Sequence, residues 1–363
     1  MLEFKSRKNT LRVSGVGQIV KRELIPFTRQ TASMLNAGMS ILSAVATLEE
    51  QNAHPGFRFV LRTLRESVES GMPFSDGLRQ FPRIFDDMYV NMVTAGEKSG
   101  QFAVVLKRLA IMMDASARLV RKVKSALTYP IVVLSLAILI ASGLITFVVP
   151  VFKEMFEGFG AQLPGPTQFL VNVSDFIRAK WPYILGAIVI AVLAFRKWLQ
   201  SASGRYRFDQ FVLKLPVFGQ LVQKVAVARF CRLFAQMLTS GVPILDAMQV
   251  VARSMGNKVI EAAILASRAG VEQGNTLSAS LEGKPCLPLL MIRMIAAGEK
   301  SGRIDEMLES VAETYDDEVE VTLATLTSLM EPFLMVFLGI VIGGIVIAMF
   351  LPIFKIGTVV GGG

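Results

Sequence analysis

The sequence predicts an all-α membrane protein in which two homologous cytoplasmic helical bundles are joined to three transmembrane helices. Three observations carry that prediction. Two stretches of 19 residues, 131–149 and 333–351, hold no charged side chain. The chain repeats itself at an offset of 203 and then 202 residues. Between the apolar stretches, nonpolar residues recur at spacings of three and four, as in Leu238, Val242, Leu245, Met248 and Val251, and no β-type alternation is found. Composition agrees. Of 363 residues, 52% are hydrophobic and only 18% charged, against about 25% charged in an ordinary soluble domain.

Taken in chain order, residues 1–25 are a basic lead with Lys5, Arg7, Lys8 and Arg12. It lacks the apolar core of a signal peptide and a prepilin-type leader, so the expected start is cytoplasmic. Residues 26–130 form the first helical repeat, of about six helices, with Gly38 and Gly71 where apolar runs stop. Residues 131–149, between Pro130 and Pro150, are the first span; a bilayer needs roughly 20 apolar residues. An outer loop, 150–180, leads to a second span at 181–198. That span ends on Arg196 and Lys197 and is flanked by Trp181 and Trp198, which suit the membrane interface. Its apolar centre, 183–195, otherwise reads as a buried core helix. Residues 199–331 are the second repeat, 332–351 the third span, and 352–363 an outer tail.

Orientation follows from loop charge. Arg118, Arg121, Lys122 and Lys124 precede the first span, and Arg196, Lys197, Arg205 and Arg207 close the second. The intervening loop balances Lys153, Arg178 and Lys180 with Glu154, Glu157 and Asp175. Positive-inside logic puts both repeats in the cytoplasm and the 150–180 loop outside.

The repeat is detailed. Phe27 meets Phe230, Arg29 meets Arg232, Gly38 meets Gly241, Gly71 meets Gly274 and Pro82 meets Pro285. After a one-residue deletion, Ala95-Gly96-Glu97-Lys98-Ser99-Gly100 recurs letter for letter at 297–302, and Pro130 meets Pro332. These are parallel repeats, each followed by one span. The recurring hexapeptide has two compatible readings. It is a helix end, a polar turn and a new helix start, or it presents Glu97, Lys98, Ser99 and Glu299, Lys300, Ser301 to a partner.

The copies differ in charge. Where the first has Arg118, Arg121 and Lys122, the second has Glu320 with Asp316 and Asp317 close by. The basic set either faces anionic headgroups or meets the acidic set, within one chain or between subunits. In the third span Gly339 and Gly343 stand four apart, a spacing that lets helices approach closely.

Several chemistries are excluded. His54 is the one histidine and Cys231 and Cys286 are far apart, so no zinc spacing or disulfide framework exists. The Gly-Glu-Lys-Ser-Gly runs lack the glycine spacing of a phosphate-binding loop. No catalytic, cofactor or metal site is expected, and the chain reads as a non-enzyme. Residues 1–130 carry 19 Lys and Arg against 11 Asp and Glu; spread along helices, this excess suits anionic lipid rather than nucleic acid.

These residues resemble a known family, the integral-membrane platform proteins of type II secretion and type IV pilus assembly (the secretion F / PilC family). The resemblance rests on Ala126-Leu127-Thr128-Tyr129-Pro130, Pro150-Val151-Phe152, Gly158-Phe159-Gly160-Ala161-Gln162-Leu163-Pro164 with Thr167, the doubled hexapeptide, Leu215-Pro216-Val217-Phe218-Gly219, and the segment from Glu331-Pro332 to Leu351-Pro352-Ile353-Phe354. It runs from about residue 22 to about residue 357. It implies an inner-membrane scaffold with a cytoplasmic N-terminus. The implied partners are a hexameric cytoplasmic ATPase, pilin or pseudopilin, other inner-membrane assembly proteins and further copies of itself. The competing reading, part of a transporter or channel, calls for ionisable residues at depth, and the first and third spans have none.

The orientation has a direct test. A cysteine placed at Gln162 reacts with an impermeant thiol reagent in intact cells, whereas cysteines at Ser99 and Ser301 do not. Labelling at Ser301 from outside would invert the topology.

Overall fold

The computed structural model describes residues 16–158 and 164–360, with side chains at 23–154 and 164–351. Part of the outer-loop motif, 159–163 with Gln162, lies outside the described residues, as do 1–15 and 361–363. Every regular element among the described residues is helical. The first repeat contains α1 (Val16–Asn36), α2 (Ile41–Gln51), α3 (Pro55–Glu69), α4 (Phe74–Arg79), α5 (Asp87–Ser99) and the start of α6 (Phe102–Gly143). A π-helical turn (Leu144–Val148), α7 (Val149–Gly158), α8 (Gly165–Gln200) and α9 (Ala202–Lys214) follow. The second repeat contains α10 (Phe218–Thr239), α11 (Ile244–Arg253), α12 (Lys258–Glu272), α13 (Leu277–Leu281), α14 (Leu289–Ser301) and the start of α15 (Ile304–Val360).

The chain divides into two units. The first joins residues up to Leu119 to Val222–Asp317 and holds both repeats; the second joins Val120–Leu221 to the residues from Glu318 onward. In the first unit each repeat has its own apolar centre. Phe27 lies edge-on to Phe57 at 5.6 Å and near Phe85 at 6.3 Å, and Phe85 contacts Tyr89 at 5.1 Å. In the second copy Phe230 stacks on Phe234 at 5.3 Å, with Ile260 and Met291 buried where Phe57 and Tyr89 stand. Each such side chain contributes about 1.5–3 kcal/mol on burial. Polar detail is exchanged without loss of packing. Thr28 and the Tyr89 hydroxyl hydrogen-bond at 3.0 Å, and Cys231 and Met291 replace that pair in the second copy. Burial pushes both the Tyr89 hydroxyl and the Cys231 thiol well above their ordinary values. Cys231 is thus a neutral packing residue rather than a nucleophile.

Helix starts are capped equivalently. The Phe57 amide donates to His54 Nδ1 at 3.3 Å. In the second copy the Val259 and Ile260 amides donate to Asn257 Oδ1 at 2.9 and 3.2 Å. The lone histidine is therefore a half-buried helix cap.

Among the described residues, three helical stretches are long and apolar enough to cross a membrane: Phe102–Glu154, Gly165–Gln200 and Ile304–Leu351. Leu139, Phe147, Ile190, Leu193, Ile340 and Ile347 are exposed along them, as lipid-facing residues are. Pro130 and Pro182 sit inside α6 and α8 and end neither; without water to solvate a broken backbone, the helix is the best state available. Pro150 is accommodated differently. Its ring conflicts with the carbonyl four residues back, Thr146, and that residue lies in the wider π-helical turn.

The expected outer loop is largely helix. α8 begins at Gly165, with Pro166 in its first turn, and at 1.5 Å per residue its 36 residues reach on the order of 54 Å. Thr167, Val171 and Ser174 line one buried face, and the Thr167 hydroxyl donates to the Ala348 carbonyl of α15. Lys153 of α7 pairs with Asp175 of α8 at 2.9 Å.

Because Asn257 does in one copy what His54 does in the other, His54→Asn keeps the stability of the protein, while His54→Ala lowers it by about 1 kcal/mol. Thermal unfolding of the purified full chain distinguishes them, and equal losses would refute the capping role.

Candidate assembly interface

The recurring hexapeptide is built from the backbone outward. Gly100 and Gly302 end α5 and α14 with φ of +70° each, the left-handed position a helix terminus favours for glycine. Gly96 and Gly298 serve close approach: a Cβ on Gly96 would stand 3.0 Å from Val105 Cβ, and one on Gly298 2.8 Å from Ile304 Cα. The glutamates turn inward. Glu97 accepts hydrogen bonds from the Phe74 amide at 2.7 Å and the Ser75 amide at 3.2 Å. Glu299 accepts from the Leu277 amide, the Ser278 amide and the Ser278 hydroxyl.

Each carboxylate thus caps a helix of only six or five residues. Such a helix is marginal alone and leaves its first amides unsatisfied. Pro73 stands at the cap position before α4 and its side chain offers no cap, so Glu97 supplies what local sequence does not. The serines bond back to their own helices, Ser99 to the Gly96 carbonyl at 3.4 Å and Ser301 to the Ala297 carbonyl at 2.9 Å. That leaves the lysines. Lys98 and Lys300 are exposed and make no ion pair among the described residues. Lys98 and Ser99, with Asn91, Thr94, Asp246 and Gln249, line a groove of about 590 Å³ where α5 faces α11.

The charged sets separate into pairs the sequence did not single out. Arg29 pairs with Asp114, and Arg232 with Asp316: one ion pair made twice, at equivalent positions of the two copies. The signal was present, since both arginines and both aspartates fall on the repeat offset. Asp316 is therefore engaged inside its own bundle. Lys122 of α6 does meet Glu320 of α15, with side chains 51% and 53% exposed, so this contact is worth about 0–1 kcal/mol. Arg118, Arg121 and Asp317 are exposed and unpaired among the described residues. A Cβ at Gly339 or Gly343 would have no neighbour within 4 Å, so among the described residues nothing packs closely on these two glycines. Among the described residues no group of three His, Cys, Asp or Glu side chains is placed to hold a metal ion.

The sequence pattern of the family described as "Type II secretion system (T2SS), protein F" matches this chain twice, at residues 27–150 and 230–352. The chain belongs to that family. The two matches coincide with the two copies and the spans that follow them. Relatives of the protein F family carry names from two machines. The chain is 41% identical to the "Type IV pilus assembly protein PilC" of Myxococcus xanthus, over 95% of this chain and 82% of that one. It is 38% identical to the protein of the same name in Pseudomonas aeruginosa, over 99% and 96%. It is 34% identical to the "Type II secretion system protein F" of Aeromonas hydrophila, over 93% and 87%.

The division of labour within the hexapeptide is measurable. Replacing Glu97 by Ala strands the amides of α4 and lowers stability by roughly 1–3 kcal/mol. Lys98→Ala changes it by less than about 0.5 kcal/mol. Chemical denaturation of the detergent-purified protein, followed by helicity, reads both. A neutral Glu97→Ala would show the cap to be dispensable.

Proposed function

We propose that this chain is a non-enzymatic assembly platform of the inner membrane, which couples a cytoplasmic ATPase to the assembly of pilin or pseudopilin subunits into a fibre. The observation that carries this reading is the doubled protein F match, with relatives named for pilus assembly and for secretion along nearly the whole chain. The physical character of the chain supports it. The first and third spans carry no ionisable group for an ion path. The identities of 41% and 38% to pilus assembly proteins exceed the 34% to the secretion protein, which favours a type IV pilus.

In this reading the N-terminus and both repeats, residues 26–130 and 199–331, are cytoplasmic, and the segment 150–180 lies outside. Spans at 131–149, 181–198 and 332–351 anchor them, and Arg118 and Arg121 face anionic headgroups. Lys122 with Glu320 ties the two repeat-to-span connections to one another. The outward Lys98, Ser99, Lys300 and Ser301 are the partner-facing part of each hexapeptide. Gly339 and Gly343 offer an open face in the membrane to another protein's helix, such as that of a pilin or of another inner-membrane assembly protein.

The test is genetic and biochemical together. Cells lacking this chain retain processed pilin in the membrane but build no fibre, and the tagged full chain retains the assembly ATPase through detergent purification. Normal fibres and normal secretion without the chain would overturn the proposal. Loss of secretion with fibres intact would move it from the pilus to the secretion machine.

A further inference from the structure

The two copies of the repeat meet in a one-sided way. In the unit that contains both, α5 of the first copy faces α11 of the second and the turn that precedes it, and Asn91, Ala95, Val242 and Gln249 line the groove between them. Asp87 at the start of α5 pairs with Arg253 at the end of α11 at 3.8 Å. Arg108 of α6 donates to the Thr239 carbonyl at the end of α10 at 3.2 Å.

A symmetric pair would repeat this contact, laying α14 of the second copy on α2 of the first. The exposures show that it does not. Leu290 is 45% exposed where its equivalent Met88 is 7% exposed. Arg293 and Ala297, on the same face at helical spacing, are exposed where Asn91 and Ala95 are half-buried. Leu289 beside them is 54% exposed. On the first copy, Met39 in the turn before α2 is 37% exposed, where its equivalent Val242 is half-buried. The contact is heterologous: it uses the α5-type face of one copy and the α11-type face of the other. The second copy's α14 face and the first copy's α2 face are left open.

We propose that a second copy of the chain fills both vacancies, with α14 of one molecule seated on α2 and its preceding turn in the next, in the arrangement α5 and α11 already adopt within the chain. Three features select this occupant. The in-chain contact demonstrates that the two kinds of face fit one another. The open faces carry Leu289, Leu290 and Met39, apolar side chains of the kind an interface centre buries. Charge then chooses the direction. Where α11 has Arg253, α2 has Glu50, and α14 has gained Arg293 where α5 has Asn91. A basic α14 face and an acidic α2 end attract, whereas two α14 faces or two α2 ends repel.

Membrane geometry agrees. Parallel repeats, each followed by a span running the same way, are related by an operation that keeps the membrane side. A molecule added by the same operation therefore stays in the same bilayer. Heterologous contacts of this kind build rings or open arrays rather than isolated dimers. Lys300 and Ser301 of one molecule then line the groove against the next, as Lys98 and Ser99 line it within the chain.

Disulfide trapping in native membranes tests this. Two differently tagged full-length chains are co-expressed, both with Cys231→Ala and Cys286→Ser; one carries Ala297→Cys and the other Ser43→Cys, the equivalents of the groove residues Ala95 and Asp246. Oxidation is expected to yield a dimer bearing both tags, and a chain carrying both cysteines is expected to yield a ladder of larger species. Adding Leu290→Glu to the Ala297→Cys chain reduces the mixed dimer at least about tenfold. Only 297–297 or 43–43 products would establish a two-fold contact instead. No cross-link between chains that insert at normal abundance would overturn the proposal, as would a mixed dimer indifferent to Leu290→Glu.

Discussion

The structure depends on one constraint, that a backbone in hydrocarbon must satisfy its own hydrogen bonds. It explains why the apolar segments are helical throughout, and why α6 and α15 continue through Pro130 and Pro332. It also explains why the conflict at Pro150 is absorbed by a widened helical turn rather than a break. One polar group of α8 obeys the same rule. Thr167, buried against α15, gives its proton to the Ala348 carbonyl, so a hydroxyl that would be costly alone is satisfied and the two helices are tied together.

Outside the apolar segments the governing problem changes from solvation to marginal local stability. Short helices such as α4 and α13 cannot hold themselves, and each is capped by a glutamate more than twenty residues further along the chain. Because that glutamate sits at the end of α5 or α14, folding the short helix also fixes the turn into α6 or α15. The ion pairs Arg29–Asp114 and Arg232–Asp316 act in the same direction, fastening the first helix of each bundle to the last. What recurs between the copies is thus a set of physical tasks. A cap is made by His54 or Asn257, and the buried positions of Thr28 and Tyr89 are filled by Cys231 and Met291.

The copies diverge where they face outward. The basic run of the first and the acidic run of the second touch through Lys122 and Glu320, while Asp316 is committed to Arg232. The α14 face is open where the α5 face is covered. An internally duplicated protein that used both faces of both copies within one chain would be closed. This one, with one contact made and one unmade, has surfaces to offer.

Helix class, duplication and span count were legible in the sequence because each is written in local periodicity and in runs of apolar residues, which need no partner to be recognised. The hexapeptide was legible as a feature, and its glycines as a helix end, because backbone geometry is local. The role of Glu97 was not, since the amides it caps lie 23 and 22 residues away and only tertiary packing brings them together. The extent of α8 was hidden for a similar reason. Thr167 and Ser174 look like parts of a polar loop until the fold buries them, with Thr167 meeting the Ala348 carbonyl of α15. Likewise the sequence marked Arg118, Arg121, Lys122, Asp316, Asp317 and Glu320 as opposed charges, but which acid meets which base depends on distances a one-dimensional pattern does not contain. Composition and period determined what kind of elements this chain makes; the packing of those elements decided which side chains are spent inside the protein and which remain for its partners.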